Sequence, residues 1–278
     1  KQLHFDSRTG KKNEKIIASN LKASMIWLFC GLVFCLGFLI PLITLIGYCT
    51  DYWLENFDAN VWQHSKSTFI LATSAAFIAT LLAILFNSQQ RFTPNTQNQA
   101  QLSLSSLGYA IPGTVLAIGI LIPLGQLDIW VNHFIQWLGF EKVGLIFSGT
   151  SFALILAFVI RFSAISNGSI QAAYKQMPTN LDTASTMLKA SRFQTFRKIH
   201  LPIMRPALIS AFLLVFIECV KELPASLLLR PFDFETLATY VYQFASNEQL
   251  EHAASSALLI IVVSLLPILL LTRNQKMQ

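Results

Sequence analysis

Charge is what this 278-residue sequence has least of. Asp, Glu, Lys and Arg make up 12 % of it, about half the share found in an ordinary soluble domain. With 54 % hydrophobic residues, that figure argues against a soluble enzyme and against a disordered chain. Cysteine is scarce too. Cys30, Cys35, Cys49 and Cys219 all fall in apolar runs with no Cys-x-x-Cys spacing, so they read as small buried hydrophobes rather than a disulfide scaffold or a metal site. His-Glu-x-x-His and Gly-x-Ser-x-Gly are absent, and His4, His64, His133, His200 and His252 show no metal-ligand spacing. A membrane-embedded hydrolase is therefore disfavoured. Gly-x-x-x-x-Gly-Lys-Ser/Thr is also missing, so ATP hydrolysis is not expected of this chain. No repeat with a period of about 20–50 residues stands out.

Long apolar runs are what the sequence does have. A helix needs about 20 apolar residues to cross a hydrocarbon core. Residues 23–50, 67–90, 102–125, 143–160 and 252–272 are free of charge, and residues 206–229 are apolar but for Glu218, Lys221 and Glu222. The pattern predicts an all-α membrane protein with six transmembrane helices. The runs are too long, and alternate too little, for β-barrel strands.

Basic residues orient these spans. With the N-terminus in the cytoplasm, the inner segments hold Lys1, Arg8, Lys11, Lys12, Lys15, Lys22, Arg91, Lys175, Lys189, Arg192, Arg197, Lys198, Arg205, Arg273 and Lys276. The outer loops hold Lys66, Lys142 and Arg230. Such asymmetry is the positive-inside signature. The acids lean outward, among them Asp51, Glu55, Asp58, Glu248 and Glu251. Both termini are then cytoplasmic. Topology accounts for the net charge of +6, and no nucleic-acid partner is called for. Residues 1–22 read as a basic tail or linker, 23–273 as the membrane domain and 274–278 as a short cytoplasmic tail. The first run is too long for a signal peptide and reads as a retained span. Asn167-Gly168-Ser169 matches a glycosylation sequon but falls on the cytoplasmic side.

The longest inner segment carries helix punctuation. Pro178 ends one element, and Thr179-Asn180-Leu181-Asp182 predicts a capped helix start. Leu181, Ala184 and Leu188 share a face of that helix. Ser191-Arg192-Phe193-Gln194 predicts a second start, with Gln194 reaching back to Ser191. Phe193, Phe196 and His200 recur at near-helical spacing, Pro202 is expected to stop this helix, and Pro206 to open the next span. Two such short helices either lie on the lipid interface or dock into a cytoplasmic partner. His200, in this segment, reads as a partner-contacting or solvent-exposed residue.

The spacing resembles that of ABC importer permeases. Their cytoplasmic loop runs Glu-Ala-Ala, three residues, Gly, nine residues, Ile-x-Leu-Pro. Here Thr183, Ala184 and Ser185 take the first place, Lys189 the Gly place, and Ile199, Leu201 and Pro202 the last. The second half matches, whereas the first departs at the acid, the second Ala and the Gly. Residues 108–117, Gly-Tyr-Ala-Ile-Pro-Gly-Thr-Val-Leu-Ala, resemble the start of the third span in the ferric-iron group. So do Lys221-Glu222-Leu223-Pro224, Leu229-Arg230-Pro231-Phe232 and Thr236-Leu237-Ala238-Thr239 its fifth span and outer loop. The resemblance covers about residues 27–271.

It implies a type I importer-like permease in a bacterial inner membrane, with segment 179–202 as the coupling element. Its partners would be a cytoplasmic ABC ATPase dimer, which holds the ATP and magnesium, and an extracytoplasmic substrate-binding protein. No cofactor is expected on this chain. Ferric iron is the expected solute, with thiamine, sulfate, phosphonate or polyamine as alternatives on the same architecture and an ion-coupled secondary transporter as a further rival. Members of the group are often duplicated, and the leading Lys1 with its basic stretch fits a C-terminal half. A second six-span half would then complete the pore. A Gly at the Lys189 position commonly supplies a left-handed backbone, which costs lysine about 1 kcal/mol or more. Either this turn has another geometry or the docking element is degenerate.

Glu218, Lys221 and Glu222 lie on roughly one face of the expected fifth helix, about 18 Å along it from Pro206. Charges at a span centre cost about 2.5–3.5 kcal/mol each on insertion scales, so they should face protein or water. One reading is an internal Glu218–Lys221 ion pair that lets the helix insert. The other is a polar lining of the translocation path, with Glu218 and Glu222 able to attract a hard cation. No metal ligand set follows. Pro224 is expected to kink this helix, and Arg161 to snorkel or pack at the inner end of the fourth span.

Overall fold

The computed structural model describes residues 19–52 and 59–275. Lys1, Arg8, Lys11, Lys12, Lys15, Glu55, Asp58 and Lys276, counted above for orientation, lie outside them, as do most of the 1–22 tail and the end of the 274–278 tail. All regular structure among the described residues is helical. Among the described residues, six helices are long and apolar enough to cross a membrane. The chain divides into two compact units, residues 1–47 and 48–278.

The first unit is built on α1 (Asn20–Asp51). Residues 25–43 carry no polar side chain, so this stretch is suited to hydrocarbon. A wide π turn, Cys35–Leu39, interrupts its α-helical winding.

In the second unit α2 (Ala59–Phe92) crosses first. Ala72, Ala75, Ala76 and Ala79 are fully buried at three- and four-residue spacing, a stripe that admits close helix packing where hydrophobic drive is absent. It meets Leu154, Ala157, Phe158 and Phe162 of α5 (Ser151–Gln176) and Val215, Phe216 and Cys219 of α7 (Arg192–Val220) in one apolar core. Between these lie α3 (Thr96–Leu104), a 3-10 turn at Leu107–Ala110, α4 (Gly113–Trp137) and α6 (Asn180–Met187). After α7 come α8 (Pro224–Leu229), α9 (Leu237–Ser246) and α10 (Leu250–Gln275). Thr236 and Thr239 form a reciprocal cap at the start of α9, and the Leu237 N–H donates to Thr68 Oγ1 of α2 at 2.8 Å.

Three spans are displaced from the apolar runs. The third is α4, not residues 102–125, because the chain breaks at Ile111–Pro112. The fourth is α5, not residues 143–160. Residues 143–148 are not helical. All of their N–H groups but that of Leu145 are taken by two side chains of α4 instead. Asp128, buried, accepts from Ile146, Phe147 and Ser148 at 2.7–2.9 Å, and Asn132 Oδ1 accepts from Val143 and Gly144. The fifth is α7, which ends at Val220 rather than running to residue 229. For α4 and α5 the helix continues where polar side chains are satisfied by protein, which hydropathy alone does not register.

Candidate functional site

The segment 179–202 sits at the end of the bundle where α2 finishes and α5 gives way to α6. Its anchor is Arg91, on the last turn of α2. Arg91 Nε donates to Asp182 Oδ2 at 2.8 Å and Nη2 lies 2.7 Å from the same oxygen. The other guanidinium donors reach the carbonyls of Tyr174, Met177 and Pro178 at 3.2–3.3 Å. These carbonyls lie at and just beyond the C-terminal end of α5, where the helix dipole favours a cation; those of Tyr174 and Pro178 also accept the Met177 and Leu181 N–H groups. The second Asp182 oxygen meets His200 Nε2 at 2.7 Å. His200 is fully buried. Its ring stacks on Phe92 with centroids 5.1 Å apart and meets the Tyr174 ring edge-on at 5.5 Å. Tyr174 OH is in turn 2.8 Å from Ser88 Oγ.

This corrects two expectations. His200 is not a solvent-facing residue, and Thr179 makes no side-chain cap, because Asp182 is engaged by Arg91 and His200. The Ser191–Gln194 box forms as expected: Gln194 N–H donates to Ser191 Oγ at 3.2 Å and Ser191 N–H to Gln194 Oε1 at 2.9 Å. Pro202 does not stop the helix. A π turn at Phe196–His200 precedes it, with the Leu201 N–H bonded to the Phe196 carbonyl. That extra residue absorbs the missing proline N–H, and α7 runs on through Pro202 and Pro206.

Lys189 keeps the left-handed backbone with φ +56°. The Lys189 N–H bonds to the Thr186 carbonyl at 2.9 Å and the Ala190 N–H to the Ser185 carbonyl at 3.0 Å, which is the Schellman closure. The geometry expected of the Gly place is therefore present, held by a lysine. Ser185 is buried, with Thr195 Oγ1 2.9 Å from its Oγ, fastening α6 to the start of α7. Thr183 and Ala184 are exposed. Ile199 shares a groove of about 420 Å³ with Leu181, Ala184 and Leu188, while Leu201 is half-buried and Pro202 exposed. Met187, Leu188 and Phe193 project outward, Leu188 being 83 % exposed. The motif comparison did not single out these three. Leu188 and Phe193 did carry a signal, in the apolar spacing of each short helix, whereas Met187 carried none.

The charged patch is a break, not a helix face. Lys221 caps α7 and Leu223 opens α8, so Glu222 lies between two helices. Glu218 and Lys221 do pair, at 2.8 Å, with side chains 26 % and 52 % exposed. Glu222 points away from them into protein, its side chain 8 % exposed. Its Oε2 is 3.4 Å from Arg161 Nε, and its Oε1 accepts the Ala225 N–H at 3.3 Å. Arg161 Nη1 also reaches the Ile111 carbonyl at 3.4 Å. Arg161 is thus no snorkelling residue at a helix end. It lies mid-helix and joins two chain breaks. No group of three His, Cys, Asp or Glu side chains converges among the described residues. Asn167, of the sequon, is buried and donates to Ser105 Oγ at 2.8 Å, so its amide is not presented for modification.

A family model described as binding-protein-dependent transport system inner membrane component matches residues 79–277. The ferric transport system permease protein FbpB of Actinobacillus pleuropneumoniae is 33 % identical over 167 residues, covering 58 % of this chain and 23 % of that one. The Fe(3+)-transport system permease protein FbpB 2 of Haemophilus influenzae is 26 % identical over 253 residues, 88 % of this chain and 46 % of its own. The sulfate transport system permease protein CysT of Salmonella typhimurium is 25 % identical over 256 residues, 86 % and 87 % of the two. The chain spans between about a quarter and a half of the ferric relatives' length. Among solved structures, a bacterial alginate ABC transporter crystallised with an alginate-bound periplasmic protein aligns with a TM-score of 0.66 and 17 % identity, over 90 % of this chain and 92 % of that one. That similarity establishes a shared fold.

Proposed function

This chain belongs to the family of binding-protein-dependent transport system inner membrane components, and from that premise we propose that it is a membrane-spanning half of an ATP-driven importer for ferric iron. The observation that carries the proposal is the helix pair α6–α7. It presents Met187, Leu188 and Phe193 outward while Arg91, Asp182 and His200 fasten it to α2 and α5. A paired cytoplasmic ATPase, which supplies the ATP and magnesium, grips segment 179–202. Closure of that pair tilts α6–α7. Because α7 is continuous from Arg192 to Val220, the tilt reaches the charged break as rigid-body motion.

Glu218 and Lys221 border the passage in this reading, and Glu222, buried against Arg161, stands behind them. A cation as exposed as Lys221 at membrane depth is tolerated against water or protein, not against lipid. The extracytoplasmic binding protein delivers the solute to the opposite end. Both termini are cytoplasmic, in a bacterial inner membrane. A second six-span half completes the passage, and the 46 % share of the Haemophilus influenzae relative supports its presence in a longer polypeptide. Ferric iron is favoured by the 33 % identity to a ferric permease. Sulfate is the second reading, supported by the CysT match over nearly the whole chain.

Reconstitution tests both. The chain in its full polypeptide is placed in liposomes with its ATPase and binding protein, and ATP-dependent uptake of radiolabelled ferric iron is measured. Uptake that needs all components is expected. Uptake of sulfate in place of iron would move the solute to the second reading. Uptake driven by an ion gradient without ATPase would overturn the importer.

A further inference from the structure

We propose that Arg161 is a positioning residue that seals the passage by holding two broken spans together, an inference that rests on the importer reading above. Three features meet at its guanidinium. The first is the break before α4, at residues 111–113. The second is the break between α7 and α8, at residues 221–223. The third is the stripe of α5 on which Arg161 itself stands. Non-helical backbone at membrane depth is tolerated where it is buried in protein or borders water, and here two such stretches are adjacent.

Their approach is close enough to need a glycine. A Cβ on Gly113 would lie 2.5 Å from Arg161 Nη1, 2.7 Å from Glu222 Oε1 and 3.1 Å from Pro224 Cβ. Gly108 is similarly confined, since a Cβ there would strike the Ile160 carbonyl. Both glycines press the start of the third span against α5 immediately beside Arg161.

The α5 stripe changes character at Arg161. Leu154, Ala157, Arg161, Ala164, Gly168 and Gln171 recur at helical spacing on one side of the helix. Toward the Ser151 end, Leu154 and Ala157 are fully buried in the apolar core. Toward the Gln176 end, Ala164, Gly168 and Gln171 border a cleft of about 300 Å³ shared with Gln99, Ser103 and Ser106. Arg161 therefore marks the level at which a polar cleft gives way to dry packing. The tie is also incomplete: its ion pair with Glu222 is long at 3.4 Å, and Nε, though buried, makes no hydrogen bond. A contact that holds but is not fully engaged suits an element with two arrangements.

The test uses the whole transporter in liposomes, with two readouts on the same vesicles. Passive release of entrapped potassium reports the seal whatever the solute. ATP-driven ferric uptake reports the importer. Glu222→Gln removes the counter-charge with little change of shape, and Arg161→Lys keeps the charge but loses the fork that reaches both breaks. Each is expected to raise potassium release by about 5- to 150-fold, the range of couplings typical between linked sites, with Glu222→Gln the stronger. The combined swap Arg161→Glu with Glu222→Arg is expected to recover part of the seal, which a generally loosened fold would not. Wild-type release from both variants, at wild-type yield of assembled complex, overturns the proposal. If one variant does not assemble, the other decides. Should the wild type fail to import iron while the variants still leak, the solute assignment falls and the seal stands.

Discussion

Arg91 and Arg161 each join an acid from a distant part of the chain, but under different conditions. Arg91 stands at the end of its helix and makes contacts of 2.7–3.3 Å to one carboxylate and three carbonyls. Arg161 stands mid-helix and makes contacts of 3.4 Å to one carboxylate and one carbonyl, with Nε unsatisfied. The first arrangement engages all three guanidinium nitrogens in hydrogen bonds. The second leaves hydrogen-bonding capacity unused. In the importer reading, the fixed joint lies where force would enter and the loose joint where the passage would open.

Substitutions break this contrast in a graded order. Arg91→Met leaves Asp182 with His200 alone and takes the guanidinium from three carbonyls, and removing one partner of a buried pair costs about 3–5 kcal/mol. Partial exposure of Asp182 puts the expectation at the low end, about 3 kcal/mol, read as loss of folded fraction in a detergent-unfolding titration. Recovery of ATPase with the purified variant should fall alongside it. Gly113→Ala drives a methyl into the Arg161–Glu222 contact, and overpacking of this kind costs about 1–3 kcal/mol. It should increase vesicle leak more than it lowers folded yield; the reverse order would make the two joints alike. Ser191→Ala removes one reciprocal cap at the exposed pair, worth about 1 kcal/mol, seen as faster hydrogen exchange over residues 191–195. Lys189→Gly relieves the left-handed strain and is expected to stabilise by up to about 1 kcal/mol. ATPase co-purification should hold or improve. A weaker complex would mean that the lysine side chain itself makes the contact.

The six spans were legible because hydrocarbon imposes length and composition on whatever crosses it. Their ends were not. An apolar run marks where a helix meets lipid or core, while α4 continues past Asp128 and α5 past Arg161 because those polar groups find partners inside the protein. The Ser191 cap was readable, since donor and acceptor are three residues apart. The Thr179 cap was misread because Asp182 answers to Arg91, 91 positions away, and no local pattern encodes that distance. The charged patch was visible as residue types, and its Glu218–Lys221 pair was anticipated. The turning of Glu222 toward Arg161 depends on a chain break after Val220, which Pro224 signalled only as a kink. The Lys189 turn shows the converse case, a backbone conformation preserved after the residue that usually marks it has gone.

The π turn at Phe196–His200 places a constraint on chain length as well as on chemistry. Such a turn holds one residue more than the α turn it replaces. Deleting any one of Phe196, Arg197, Lys198 and Ile199 would wind it back to an α turn and swing everything before it by about 100° against everything after it. Either His200 would lose Asp182 or α7 would present a different edge to α2 and α5. The turn therefore works as a phase setting between the exposed helix pair and the bundle. A one-residue deletion here is expected to do what loss of Arg91 does, with every side chain of the clamp still in the sequence.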